Sequence, residues 1–174
     1  MALAVCVLFD RPTERRLRAL WARLEEHGVH TLASHTHRRH HPHLSYAVLR
    51  EWDLDAVRRA LEDLPDGGPF AMTCHGTLAF PRGRAALAPS ITPDVAARQL
   101  AVVDAVRATG ADLHRHYGHG AWIPHVSIAT RAPGALLPVV VEAVADVLPM
   151  PLVVDRAALI DSGTGRTWPL SGIP

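Results

Sequence analysis

Apolar residues along this chain follow two spacings, one suited to strands and one to helices. Residues 2–9 form an unbroken Val- and Leu-rich run ending at Asp10-Arg-Pro, the pattern of a buried strand. Leu17, Leu20, Trp21 and Leu24 then recur every three or four positions up to Gly28, which predicts a helix with one apolar stripe. After a polar stretch, HLSYAVL reads as a second strand. Leu54, Val57, Leu61 and Leu64 read as a second helix, started by Asp53 or Asp55 and broken by Pro65-Asp-Gly-Gly.

The second half repeats this order. Strand-like segments 70–80 and 84–91 are split by Pro81-Arg-Gly, a hairpin turn signal. Thr92 as N-cap with Pro93 behind it predicts a helix to Gly110, its stripe formed by Ala96, Leu100, Val103 and Val106. A short strand follows Pro124. A helix from near Pro133 carries Leu137, Val140, Val141, Val144 and Leu148, a strand is predicted at 152–160, and a short terminal piece over 166–173 follows a turn-rich Asp161-Ser-Gly-Thr-Gly. The expected class is α+β: a bilobal single domain over 1–174, from a duplicated strand-helix unit. Two antiparallel-containing sheets flank a central cleft and the helices lie outside.

Composition narrows the choice little. With 174 residues, 48% hydrophobic and 20% charged, a folded globular chain of one compact domain is expected. The net charge of +1 provides no field for long duplex DNA, although all 18 basic residues are Arg. Cys6 and Cys74 sit in apolar runs rather than in paired spacing, so buried reduced thiols are expected. Without a signal-like start or an apolar run of about 18 residues, the chain is read as a cytoplasmic monomer with no membrane partner.

The chemistry lies in a repeat. Pro42-His43-Leu44-Ser45-Tyr46-Ala47 matches Pro124-His125-Val126-Ser127-Ile128-Ala129 at Pro, His, Ser and Ala, 82 positions apart in a chain of 174. One His-x-Ser tripeptide is commonplace and is most often structural; two copies in like strands point to a shared site. Strand alternation puts each His and Ser on one face, with Ala47 and Ala129 leaving room for a ligand and Leu44, Tyr46, Val48, Val126 and Ile128 facing away. Two imidazoles titrating near neutrality can supply a general base and a general acid, and two hydroxyls can hold phosphoryl oxygens. That chemistry requires no cofactor and no metal.

At these residues the chain resembles the two-histidine phosphoesterase superfamily, specifically its 2′-5′ RNA ligase-like and RNA 2′,3′-cyclic phosphodiesterase branch. The resemblance implies a bilobal fold with both motifs lining a cleft, His43 and His125 as the catalytic pair, and Ser45 and Ser127 as phosphate-orienting hydroxyls. It implies opening of 2′,3′-cyclic phosphates on small cyclic nucleotides or RNA ends, with 2′-5′ RNA ligation or non-catalytic nucleotide binding as alternatives. Many members carry an Arg five residues after the second His. Here Thr130 stands there and Arg131 follows, a one-place shift that reverses direction on a strand. Arg38, Arg39 and Arg82 are further candidate phosphate ligands, and Tyr117 and Trp122 are candidate base-stacking residues. The histidine-rich stretch 35–43 lacks the carboxylate or thiol partners of a familiar metal site and reads as a loop delivering the first motif.

Overall fold

The computed structural model describes residues 2–174. Eight strands, β1 (Leu3–Phe9), β2 (His43–Glu51), β3 (Phe70–Phe80), β4 (Arg84–Pro89), β5 (Asp112–Leu113), β6 (Val126–Ala129), β7 (Met150–Asp161) and β8 (Thr167–Pro169), alternate with four helices among the described residues. The helices are α1 (Arg11–Glu26), α2 (Leu54–Glu62), α3 (Pro93–Ala108) and α4 (Leu136–Ala145). Each of the first three starts on a side-chain cap, since the oxygens of Asp10, Asp53 and Thr92 accept from the amides of Thr13, Ala56 and Val95.

The expected two sheets are joined into one. The hydrogen-bonded order is β1-β2-β6-β4-β3-β7-β8, and β7 also pairs with β1, so six strands close on themselves. Two antiparallel blocks remain distinct within this ring. The long strand β7 serves both, pairing with β3 through its first half and with β1 through its second. On the opposite side the blocks meet only at Leu44 against Val126. That single pair is the middle residue of each His-x-Ser motif, so the duplicated tripeptides form the seam between the blocks.

One large apolar core lies between the outer face of the strands and the helices, with Tyr46, Phe9, Leu17 and Leu24 among its fully buried side chains. Burying each such side chain is worth about 2 kcal/mol before entropy is subtracted. A second, small cluster of Ala4, Cys6, Leu8, Ala158 and Ile160 occupies the inner face of the first block, with Val48 against it.

Two expected faces are revised. In β2 the pairing with β1 skips one residue between Ala47 and Ser45, a bulge that shifts the alternation. Ala47 therefore packs in the main core and Val48 turns to the inner face, the reverse of a regular strand. In α3 the buried stripe is Val95, Gln99, Val102, Val103 and Val106, whereas Leu100 is 40% exposed. The helix is rotated to admit Gln99, whose side-chain amide donates to the carbonyls of Tyr46 and Tyr117. Helix α4 begins at Leu136, past Pro133 and Gly134.

Candidate active site

The antiparallel register through Leu44 and Val126 carries His43 toward Ser127 and Ser45 toward His125, so the site has approximate two-fold symmetry. The histidines are held alike. Nδ1 of His43 donates to the carbonyl of His41 at 2.7 Å, and Nδ1 of His125 donates to the carbonyl of Ile123 at 2.7 Å. A carbonyl only accepts, so both imidazoles carry their proton on Nδ1 when neutral and present an unprotonated Nε2.

Both imidazoles titrate below the ordinary histidine range. Burial is the main cause for each; proximity of His125 and His41 adds to it at His43, and the Arg84 cation adds to it at His125. The two rings are thus close enough for a proton on one to disfavour a proton on the other.

The two strands are laddered only at Leu44 and Val126, and each serine carbonyl beside that pair accepts from an indole N–H. Trp21 donates to the Ser127 carbonyl at 3.1 Å and Trp122 donates to the Ser45 carbonyl at 3.0 Å. Buried backbone carbonyls need partners, and these two tryptophans supply them where the sheet cannot. Trp122 also packs edge-on against Tyr46, with ring centroids 5.9 Å apart. The expectation that Trp122 stacks on a base is therefore revised: its ring belongs to the core side and positions the first motif. Replacing either indole by Phe is expected to cost about 1–3 kcal/mol of stability, because it orphans a carbonyl. A lower denaturant midpoint at unchanged slope checks this.

A cavity of about 480 Å³ opens beside the second motif, lined in part by Phe80, Arg84, Tyr117, His125, Ser127 and Thr130. Ala129 also lines it, as expected of a small residue leaving room. Phe80 packs on His125 with centroids 5.0 Å apart. Burial pushes the pKa of the Tyr117 phenol up to about 12, and the nearby Ser45 side chain opposes that shift. Tyr117 thus lies near the first motif while lining the cavity of the second. Beneath Ser45 lies the Cys6 thiol, 3.6 Å from its hydroxyl and with its pKa raised to about 12 by burial, an inert packing group.

Arg84 lines this cavity together with Arg115, and strand spacing did not single it out. Ala85 pairs with Ala129, so Arg84 stands across the ladder from Thr130. The guanidinium depresses the pKa values of His125 and Tyr117. Of the expected cations, Arg131 is turned out of this cavity into a neighbouring basin that also contains Arg82, while Thr130 faces both. The one-residue alternation explains this. Arg38 sits exposed at a left-handed turn, φ 59°, and Arg39 donates to the Thr164 carbonyl at 3.0 Å. Neither lines the cavity.

The histidine-rich loop is tied to helix α1 through Arg18 and Glu14 and to the β7–β8 turn through Thr164. His40 is 8% exposed, hydrogen bonded through Nε2 to the Thr36 hydroxyl at 2.8 Å and packed on His37 with centroids 4.1 Å apart. Gly165 lies so close to His37 that a Cβ there would approach the ring to 2.5 Å. No group of three or more His, Cys, Asp or Glu among the described residues is arranged to hold a metal ion. Burial, reinforced by the neighbouring histidines, pushes His40 down to about 4. The unfolded chain protonates near the ordinary imidazole value while the folded one does not, so stability present above pH 6.5 is lost as pH falls toward 4. The expected loss is on the order of 1–2 kcal/mol after allowance for solvent screening. A flatter stability profile for His40→Asn between these pH values checks it.

Two symmetry-related His-x-Ser strands thus bring two imidazoles, each donating Nδ1–H to a backbone carbonyl, to one seam. The sequence profile of the 2′-5′ RNA ligase superfamily matches residues 10–166, and the chain belongs to that superfamily. Among solved structures, Escherichia coli LigT in apo form is similar at 14% identity and a TM-score of 0.62, covering 98% of this chain and 94% of LigT. LigT complexed with 3′-AMP is similar at 14% identity and a TM-score of 0.56, covering 97% of each chain. Usb1 of Kluyveromyces marxianus is similar at 14% identity and a TM-score of 0.53, again covering 97% of each chain. At these identities the likeness is one of fold. No protein of curated function matches the sequence. No helix among the described residues is long and apolar enough to cross a membrane.

Proposed function

We propose that this protein is a metal-independent phosphodiesterase that opens 2′,3′-cyclic phosphates of nucleotides or RNA ends. The observation that carries this is the pair of imidazoles, each with Nδ1 tied to a backbone carbonyl and Nε2 left free, set across one seam with two hydroxyls. A nucleotide suits the cavity, and the fold neighbour LigT is known in complex with 3′-AMP.

The position of the cavity assigns roles to the pair. It lies on the His125 side, and His43 is not part of its wall. A nucleoside placed there carries both ester oxygens of the cyclic phosphate, so the departing oxygen leaves toward His125. In-line attack then brings water from the His43 side. Nε2 of His43 takes the proton of water as its oxygen bonds to phosphorus. The bond from phosphorus to the ribose oxygen breaks, and Nε2–H of His125 donates the proton that oxygen needs. Ser45, Ser127 and Arg84 hold the non-bridging oxygens, whose charge shifts in the transition state. Both imidazoles enter with depressed pKa values, and the incoming phosphate anion draws a proton back onto His125.

The test is a panel of adenosine, guanosine, cytidine and uridine 2′,3′-cyclic phosphates and short RNAs with cyclic ends, with products identified by position. Hydrolysis to one phosphomonoester, unchanged by EDTA, supports the proposal. Binding without product would make the site a nucleotide-binding module, and strict dependence on an added divalent ion would overturn the mechanism.

A further inference from the structure

Next to the cavity, and sharing Phe80 and Thr130 with it, lies an open basin of about 840 Å³ that also contains Arg82, Gly83, Arg131, Ala132, Pro133 and Leu137. We propose that this basin is a second anion site, in which Arg82 and Arg131 bind the phosphodiester one nucleotide away from the reacting phosphate of a single-stranded RNA end. This rests on the cyclic phosphodiesterase assignment above and selects RNA over mononucleotides as its substrate.

The two cations are brought together by a built contact. At the tip of the β3–β4 hairpin the Gly83 carbonyl accepts from the Ala132 amide at 2.6 Å, and the Arg131 amide donates to the His30 carbonyl at 3.3 Å. A Cβ at Gly83 would come within 2.7 Å of the Ala132 carbonyl oxygen, so the tip sits directly on the segment that carries Arg131. Neither guanidinium pairs with a carboxylate among the described residues, and no Asp or Glu lines the basin or the cavity. Arg84 continues the same charge into the cavity, so a polyanion passing Phe80 meets cations on both sides of it.

Arg82 is also the wrong residue for its backbone. It stands at φ 67°, ψ 28°, followed by Gly83 at φ 70°, the two left-handed central positions of a tight hairpin turn. Asn or Gly fits the first of these positions, and a long side chain there is strained. Strain kept at a cavity wall, on an unpaired cation, points to a ligand that uses the cation. The alternatives for these residues are weaker: as hairpin chemistry Arg82 is unfavourable, and as an ion-pair partner Arg131 has no counter-charge.

The hairpin supplies a clean test, because Arg82→Asn removes the charge while suiting the turn. The kcat/KM ratio of a trinucleotide ending in a 2′,3′-cyclic phosphate to the matching mononucleotide is compared for the wild type and the Arg82→Asn/Arg131→Gln variant. The wild-type ratio is expected to be at least ~10 and to fall toward 1 in the variant, with the logarithmic salt dependence on the trinucleotide reduced by roughly 0.7 per lost phosphate contact. A wild-type ratio near 1, or a ratio the variant retains, overturns the second site while leaving the cyclic phosphodiesterase assignment standing. If no cyclic phosphate is turned over, that assignment fails on its own. The basin is then decided by fluorescence anisotropy with a labelled RNA trinucleotide ending in a 2′-phosphate: weaker binding by the variant supports it and an equal Kd overturns it.

Discussion

Substitution of His43 or His125 by Ala is expected to lower kcat for a 2′,3′-cyclic nucleotide by at least ~10³-fold, with the fold unchanged by circular dichroism. In the proposed mechanism each imidazole moves one proton in the transition state, and such transfers are worth about 10²–10⁴ each. Ala removes that contribution and leaves the Nδ1 acceptor carbonyls of His41 and Ile123, which lie at partly exposed positions, free to find water. The double variant is expected to lose little more than either single one, since a base without its acid accomplishes little. A variant with a tenth or more of wild-type kcat would remove that histidine from the mechanism. Because the free-enzyme values of both imidazoles lie below the ordinary 6.5, the kcat/KM optimum is expected on the acid side of pH 6.5. The kcat profile is expected at higher pH, because the bound phosphate anion raises both.

Arg84→Gln carries the next largest effect. Arg84 is one of two arginines lining the cavity that holds His125 and Ser127 and the one that acts on His125, and loss of such a charge-stabilising donor is expected to lower kcat/KM by about 10²–10³. The same substitution has a signature that simple disruption lacks. Arg84 depresses the pKa of His125, so its removal raises that pKa and moves the alkaline limb of kcat/KM to higher pH. The acid limb, set by His43, is expected to stay in place. Arg84→Lys, which keeps a charge without the planar fork, is expected to restore the limb and only part of the rate. A limb that does not move in Arg84→Gln would place the guanidinium away from His125 during the reaction.

Trp122 and Arg84 show where reading residues one at a time stopped. Trp122 lies beside the second motif in sequence, which made base stacking the natural expectation, yet its indole crosses the seam to the carbonyl of Ser45 in the first motif. Trp21, its counterpart on Ser127, lies in a helical stripe that marks it only as core. Arg84 follows a hairpin turn with no chemical neighbour in sequence; its relation to Thr130 exists only through the β4–β6 register. Ala47 turned to the main core and away from the inner face because of a bulge, and bulges have no signature in an alternating apolar pattern.

What the sequence determined by itself is local. Turn chemistry, caps and hydrophobic period mark most of the elements because each acts over a few residues, and the His-x-Ser repeat stands out because duplication preserves offsets. The tertiary structure decided everything that depends on which strands become neighbours. It made one ring of two sheet blocks, put the two motifs across a single residue pair, and opened the cavity on the His125 side. Pairing partners lie tens of residues apart, and their register is set by the packing of whole elements, which no local pattern encodes.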